Sequence, residues 1–142
     1  MTIRVLIFDD EDMIRQLFKN ALSSRDYEIL DFQNPSECPI YKKCKCDCKP
    51  NEMCADIIIT DIRMPVVDGL TFIKKQRNKK CKVKNILMVS GYMSDKMKRM
   101  AAELGCICLR KPFDLDELMD VMDEFEKNID PDRILIDWDS LK

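Results

Sequence analysis

An α/β fold, a doubly wound parallel sheet of five strands with helices on both faces, is the architecture this sequence predicts. Strand-like and helix-like patterns alternate along its 142 residues, the rhythm of repeated β–α units with right-handed crossovers. Two of the strand candidates are continuously apolar instead of alternating. Val5-Leu6-Ile7-Phe8 and Ile57-Ile58-Ile59 read as parallel strands covered on both faces. Both runs also end in acids, where open α/β sheets place their chemistry.

The elements follow in order. Residues 3–8 form the first strand. Ile14, Leu17, Phe18, Ala21 and Leu22 then recur at helical spacing. Residues 27–32 are the second strand and 55–60 the third. Asp68-Gly69 opens a short helix through Leu70 and Ile73. Residues 85–89 are the fourth strand. Met97, Met100, Ala101 and Leu104 repeat the amphipathic pattern until Gly105 stops it. Residues 106–109 make a weak fifth strand, and Pro112 and Asp114 start a last helix through Leu115, Leu118, Met119, Met122 and Phe125. One break interrupts the rhythm: residues 35–54, where a second helix is due, hold five cysteines and three prolines.

Composition narrows the function. Apolar residues make up 46% and charged residues 35%, a folded rather than disordered balance. A net charge of −2 gives no general attraction to nucleic acid or membranes. No apolar run reaches the length of a membrane span, and the N-terminus has no signal-peptide pattern; the expected location is the cytoplasm. There is no histidine, so Ser-His and Cys-His catalysis and imidazole metal ligation are excluded. Any phosphohistidine involved must belong to another protein.

The chemistry concentrates at strand ends. Asp9, Asp10 and Glu11 follow the first strand and Asp61 the third. These strands are neighbours in a doubly wound sheet, so their acids meet. Clustered carboxylates repel, and hard oxygen donors suit Mg²⁺. Ser90 after the fourth strand adds a hydroxyl, and Lys111 after the fifth an ammonium. Nucleophilic carboxylate, metal, hydroxyl and cation are the parts that accept and neutralise a phosphoryl group. Taken singly each has a plainer use. Asp-Asp after a strand serves as a helix cap, Ser90-Gly91 as a turn, and Lys111-Pro112 as a helix approach. Four in the right order at successive strand ends outweigh those uses.

The set Phe8-Asp9-Asp10-Glu11, Asp61-Ile62-Arg63-Met64-Pro65 with Asp68-Gly69, Val89-Ser90-Gly91-Tyr92, and Lys111-Pro112-Phe113 resembles the receiver domain of two-component response regulators over residues 2–128. The resemblance implies a flavodoxin-like strand order 2-1-3-4-5. It implies that Asp61 accepts a phosphoryl group from a partner histidine kinase or phosphotransfer protein. Asp9, Asp10, Asp61 and the backbone carbonyl of Arg63 would hold Mg²⁺, and Ser90 and Lys111 would bind phosphoryl oxygens. The layout is then a receiver domain over residues 1–129 and a tail over 130–142. A cysteine-rich insertion at about 36–54 makes the second-helix region about eight residues longer than the family norm, within what a surface loop tolerates. The expected role is a stand-alone receiver or phosphorelay intermediate that switches an unidentified downstream protein. It is a phosphoacceptor rather than an enzyme on outside substrates.

Three departures carry expectations of their own. Cys108 stands where the family has an aromatic switch residue on the fifth strand, so the loop after Ser90 is expected to carry the readout; Tyr92 is a candidate ring there. The apolar tail residues Ile134, Leu135, Ile136 and Trp138 are expected to dock on their own domain. The cysteines Cys38, Cys44, Cys46, Cys48 and Cys54 offer enough thiolates for Zn²⁺ or an iron–sulfur cluster. Redox chemistry and inert solvated thiols are the alternatives. Cys106 and Cys108 are expected to pack as small apolar residues. The run Lys74 to Lys84, with seven basic residues in eleven, is read as a solvated helix face, since no recognition helix accompanies it. The last helix is rich in acids, which suits partner selection. Two rival functions remain: a degenerate receiver whose cysteine loop senses metal or redox state, and a haloacid-dehalogenase-like phosphohydrolase using Asp10-Glu11-Asp12. The second leaves Asp61 and Pro65 without a role.

Overall fold

A computed structural model describes all residues, Met1–Lys142. The main sheet uses β1 (Ile3–Phe8), β2 (Tyr27–Phe32), β4 (Ile57–Asp61), β5 (Asn85–Ser90) and β6 (Ile107–Arg110). Its order is β2-β1-β4-β5-β6, with every pairing parallel. This is the expected 2-1-3-4-5 order, because the two-residue β3 (Glu52–Met53) lies outside the sheet and pairs in parallel with β7 (Ile134–Leu135). The helices are α1 (Asp12–Ala21), a single turn α2 (Pro39–Lys42), α3 (Gly69–Asn78), α4 (Asp95–Glu103) and α5 (Leu115–Lys127). No helix is long and apolar enough to cross a membrane.

Every residue of β1, β4 and β5 is buried, whereas β2 and β6 at the edges are only partly covered. Side chains alternate across the sheet. Val5, Ile7, Ile57 and Ile59 face Phe18 of α1 and Leu118, Met122 and Phe125 of α5. Leu6, Phe8, Ile58 and Met88 face the other way, toward Phe72 and Ile73 of α3 and Ala101 of α4. Continuous apolar runs thus feed two cores at once. Local chemistry sets the helix starts. Asp68 caps α3 through Thr71 N at 2.8 Å, Ser94 caps α4 through Met97 N at 3.1 Å, and Asp114 with Glu117 forms a capping box on α5.

The second-helix position is where this chain differs most from its own pattern. Pro35 opens a three-residue 3₁₀ turn and Pro39 the four-residue α2, after which residues 43–51 have no regular element. Prolines start helices, but the lysine- and cysteine-rich stretch behind them lacks an apolar period to bury one. The tail covers the gap. Trp138 is buried in the same core as Phe8 and Phe72, 6.2 Å from the Phe32 ring and 5.5 Å from the Arg4 guanidinium. Arg4 donates to the carbonyls of Cys54 and Ile136, both at 2.8 Å, and Arg133 pairs with buried Asp56 at 2.6 Å. Buried charges that meet this many partners are tolerated because each is paired.

The basic run is more than a solvated face. Arg77 donates to the carbonyls of Leu104 and Val83, and Lys79 to those of Ile40 and Tyr41. Cys106 and Cys108 pack against the core. Truncating Trp138 leaves a void beside Phe32 and exposes the Arg4 stem. Trp138→Ala is expected to lower unfolding free energy by about 3 kcal/mol, read as a shift of the urea midpoint at unchanged slope; a shift below about a sixth of that would show that the tail is not part of the cooperative core.

Candidate functional site: an acidic pocket at the carboxyl end of the sheet

The register of β1 against β4 places Phe8 beside Thr60, so the next residue on each strand, Asp9 and Asp61, emerges at the same edge. Asp9 is completely buried and Asp61 nearly so, while Asp10 is partly exposed. Oxygens of Asp9, Asp10 and Asp61 lie within 4.8 Å of one another. Lys111, delivered after β6, donates to Asp9 Oδ2 at 3.0 Å and Asp61 Oδ2 at 3.3 Å. The Lys111–Pro112 bond is cis.

Electrostatics explain the crowding. Burial pushes the Asp61 carboxyl above its ordinary value; the Lys111 ammonium opposes that and the Asp9 charge adds to it. Burial pulls the Lys111 ammonium down, yet its bonds to the two carboxylates outweigh this and hold its pKa above the usual lysine value. With all groups ionised, three carboxylates against one ammonium leave two negative charges. That residue of charge, on hard oxygen donors, fits one divalent cation such as Mg²⁺.

The loop after Asp61 is held by backbone. Arg63 N donates to Asp61 Oδ1 at 3.2 Å, and Gly69 N to the Ile62 carbonyl at 2.8 Å. A Cβ on Gly69 would stand 2.3 Å from the Asp61 carbonyl oxygen, so only glycine lets α3 start here. Asn34, beyond β2, clamps the same loop through the carbonyls of Pro65 and Val67. Between them Val66 takes φ 68° while 87% exposed, a left-handed conformation that β-branched residues avoid. The Val67 N–H closes the turn around it on the Pro65 carbonyl at 2.8 Å, and Asn34 holds the carbonyls on either side. Nothing in the sequence marked Asn34, whose only signal is an Asn-Pro pair after a strand.

Ser90 lies at the expected strand end, and its carbonyl accepts from Lys111 N at 2.8 Å. Its hydroxyl, however, donates to the Tyr92 carbonyl at 2.9 Å and accepts from Tyr92 N at 3.3 Å. It is folded into the following turn rather than bonded to Asp61. The Tyr92 ring is exposed and lies under the Arg63 guanidinium at 5.0 Å. Cys108 sits beside Met88 in the sheet. Asp12 is exposed on α1 and bonds Arg15, so the Asp10-Glu11-Asp12 reading of a phosphohydrolase has no second acid in the pocket.

The five-cysteine set is not assembled. Cys38 is buried in the core, where desolvation pushes its thiol up to about 12, and Cys44 is exposed. Of the five, Cys46, Cys48 and Cys54 touch in sequence, and the next neighbour is Cys81. Hydrogen bonding from Cys54 lowers Cys48 and Cys81 to about 6 each, and Cys54 is raised in return. Cys81 is distant from this group in sequence but precedes β5 as Cys54 precedes β4. In a parallel sheet the approaches to adjacent strands share one end, and that topology is the signal that could have found it.

A sheet of this order with acids and a lysine at its carboxyl end defines a signal-receiving module. The model of the response regulator receiver domain matches residues 5–123, and the chain belongs to that family. Regulatory protein AtoC of Escherichia coli (strain K12) is 32% identical over 116 residues, covering 81% of this chain and 23% of AtoC; the chain thus spans less than a quarter of that relative. Sporulation initiation phosphotransferase F of Bacillus subtilis (strain 168) is 25% identical over 88% of this chain and 94% of its own length. The structure of the Vibrio cholerae chemotaxis protein CheY4 superposes with a TM-score of 0.70 at 28% identity, over 88% of this chain and 99% of that one.

Gly69→Ala forces the start of α3 away from Asp61 and is expected to cost about 1–3 kcal/mol, with broadened or shifted amide resonances for residues 61–64. A variant as stable as the parent, with those resonances unmoved, would refute the close contact.

Proposed function

We propose that this chain is the phosphoacceptor of a two-component relay, taking a phosphoryl group onto Asp61 from the phosphohistidine of a histidine kinase or phosphotransfer protein. The observation that carries the reading is the convergence of Asp9, Asp10, Asp61 and Lys111 at one strand edge. An Asp61 carboxylate oxygen attacks phosphorus, the phosphorus–nitrogen bond breaks, and the donor imidazole leaves with that electron pair. An acyl phosphate remains on Asp61. The Lys111 ammonium, already between Asp9 and Asp61, turns to the phosphoryl oxygens and neutralises the charge that arrives there. Asp9, Asp10, Asp61 and the Arg63 carbonyl are the groups suited to hold Mg²⁺, which when bound supplies further charge neutralisation. The chain contributes to its own phosphorylation and dephosphorylation, the phosphoryl donor being another molecule.

The donor must reach Asp61 past an apolar groove of about 470 Å³ between α1 and α5, lined by Ile14, Leu17, Phe18, Phe113 and Leu115 and ending at Lys111. Leu17 and Leu115 are more than half exposed there, which suits a partner's apolar helix surface.

The message leaves by the turn after β5. A phosphoryl group on Asp61 competes with the Tyr92 carbonyl for the Ser90 hydroxyl, and releasing that bond loosens residues 91–94. With Cys108 in place of an aromatic ring, β6 has little to move. Beryllofluoride with magnesium, a phosphoryl mimic, is expected to give its largest amide shifts beyond the acidic loop in residues 91–94, and small ones around Cys108. Shifts in β6 with none in 91–94 would reverse that assignment.

Intact-mass measurement after acetyl phosphate and magnesium tests the main reading. One phosphoryl adduct is expected on the parent chain, abolished by Asp61→Asn and by chelation. A persistent adduct in Asp61→Asn, or none on the parent, would reject Asp61 as the acceptor.

A further inference from the structure

At the end of the sheet opposite the acidic pocket, four thiols surround one cavity of about 240 Å³. They come from three segments. Cys46 and Cys48 lie on the irregular stretch after α2, Cys54 follows β3, and Cys81 follows α3. Cys54 lies close enough to Cys48 and Cys81, and Cys48 to Cys46, for each to shift the other's thiol. Gln76 of α3, 2% exposed, lines the same cavity and sends its side-chain amide toward Cys81. Its Oε1 is the one buried side-chain polar atom in the protein without a hydrogen-bond partner.

We propose that Cys46, Cys48, Cys54 and Cys81 form a tetrathiolate site for one Zn²⁺, separate from the acidic pocket and sharing no residue with it. Donor chemistry selects the metal: four soft sulfur ligands suit Zn²⁺ in tetrahedral geometry, with the Asp47 and Glu52 carboxylates also on the cavity wall, whereas the carboxyl-end pocket offers only hard oxygen. Cys46 and Cys48, two apart on an extended segment, can turn to the same side. Cys54 and Cys81 are fixed by the approaches to adjacent strands β4 and β5.

The thiols stand in a row rather than a closed tetrahedron, since only Asp9, Asp10 and Asp61 bring three ligand atoms within 4.8 Å of one another. Closure falls to the side that can give. The segment carrying Cys46 and Cys48 is tied to the loop after α3 by one backbone bond, Cys46 N to the Lys79 carbonyl at 3.4 Å. Each sulfur binds as its thiolate, so ligation releases to solvent the protons the four thiols still carry and leaves a site of charge −2. Lys79, which lines the cavity, and Lys82, whose ammonium reaches the Glu52 carbonyl at 3.3 Å, stand beside that charge. The metal gives an insertion with a single helical turn the cross-link that its own core cannot supply. Ile136 and Leu141 of the tail close the cavity, so ligation also fastens the tail.

The test uses the full chain, purified in reductant without oxygen and stripped of metal. Titration with Zn²⁺ against a chromophoric chelator is expected to show about one equivalent bound with proton release. Co²⁺ in its place should give the visible bands of a tetrahedral thiolate site. Cys81→Ser and Cys48→Ser are each expected to weaken binding more than about 100-fold, and Cys44→Ser to leave it unchanged. Circular dichroism of the metal-free variants separates lost ligation from lost folding. No stoichiometric Zn²⁺, an iron–sulfur chromophore instead, or a Cys44→Ser loss equal to that of Cys81→Ser would each overturn the assignment.

Discussion

The pairing of β1 with β4 governs this molecule. Its register carries two apolar runs side by side through both cores and releases Asp9 and Asp61 at a common edge. A slip of one residue would turn Leu6 and Phe8 toward α1 and α5 and drive the acids apart. The cores therefore enforce a contact that the carboxylates resist. Burial raises the proton affinity of Asp61, the Asp9 charge adds to it, and Lys111 opposes both. Stability is given up locally so that a charge-hungry site is ready in advance.

Much of this was legible in the residues themselves. Unbroken β-branched and aliphatic runs announced strands covered on both faces, and the acids, serine and lysine closing them announced the pocket. What escaped was whatever depends on two distant segments meeting. Asn34 acts on Pro65 and Val67, which no periodicity connects. The Ser90 hydroxyl turned to its own loop, bonding the carbonyl and the N–H of Tyr92 two residues on. Cys81 is far from the other thiols along the chain, yet parallel topology brings it beside Cys54. Cys38 and Cys44 were grouped by the same counting, and burial and exposure respectively remove them.

Parallel strands give a sheet two unlike ends, and this chain equips them with unlike chemistry. The carboxyl end gathers hard oxygen donors around Lys111; the amino end gathers sulfur beneath the tail. α3 connects the two, starting against the Asp61 carbonyl at Gly69 and ending beside Cys81.

The strap formed by β7 and Trp138 has a consequence for synthesis. The Arg4 side chain finds one of its acceptors at Ile136, 132 residues later, and Trp138 packs beside Phe32. On the ribosome, β1, β2 and β4 can pair while the tail is still inside the exit tunnel, but one wall of the core stays open to water and to chaperones until those last contacts form. The first strand is sealed by residues that follow every other strand of the main sheet. A stall or a cut before residue 138 would leave a paired sheet with an unfinished apolar face, the kind of species that aggregates.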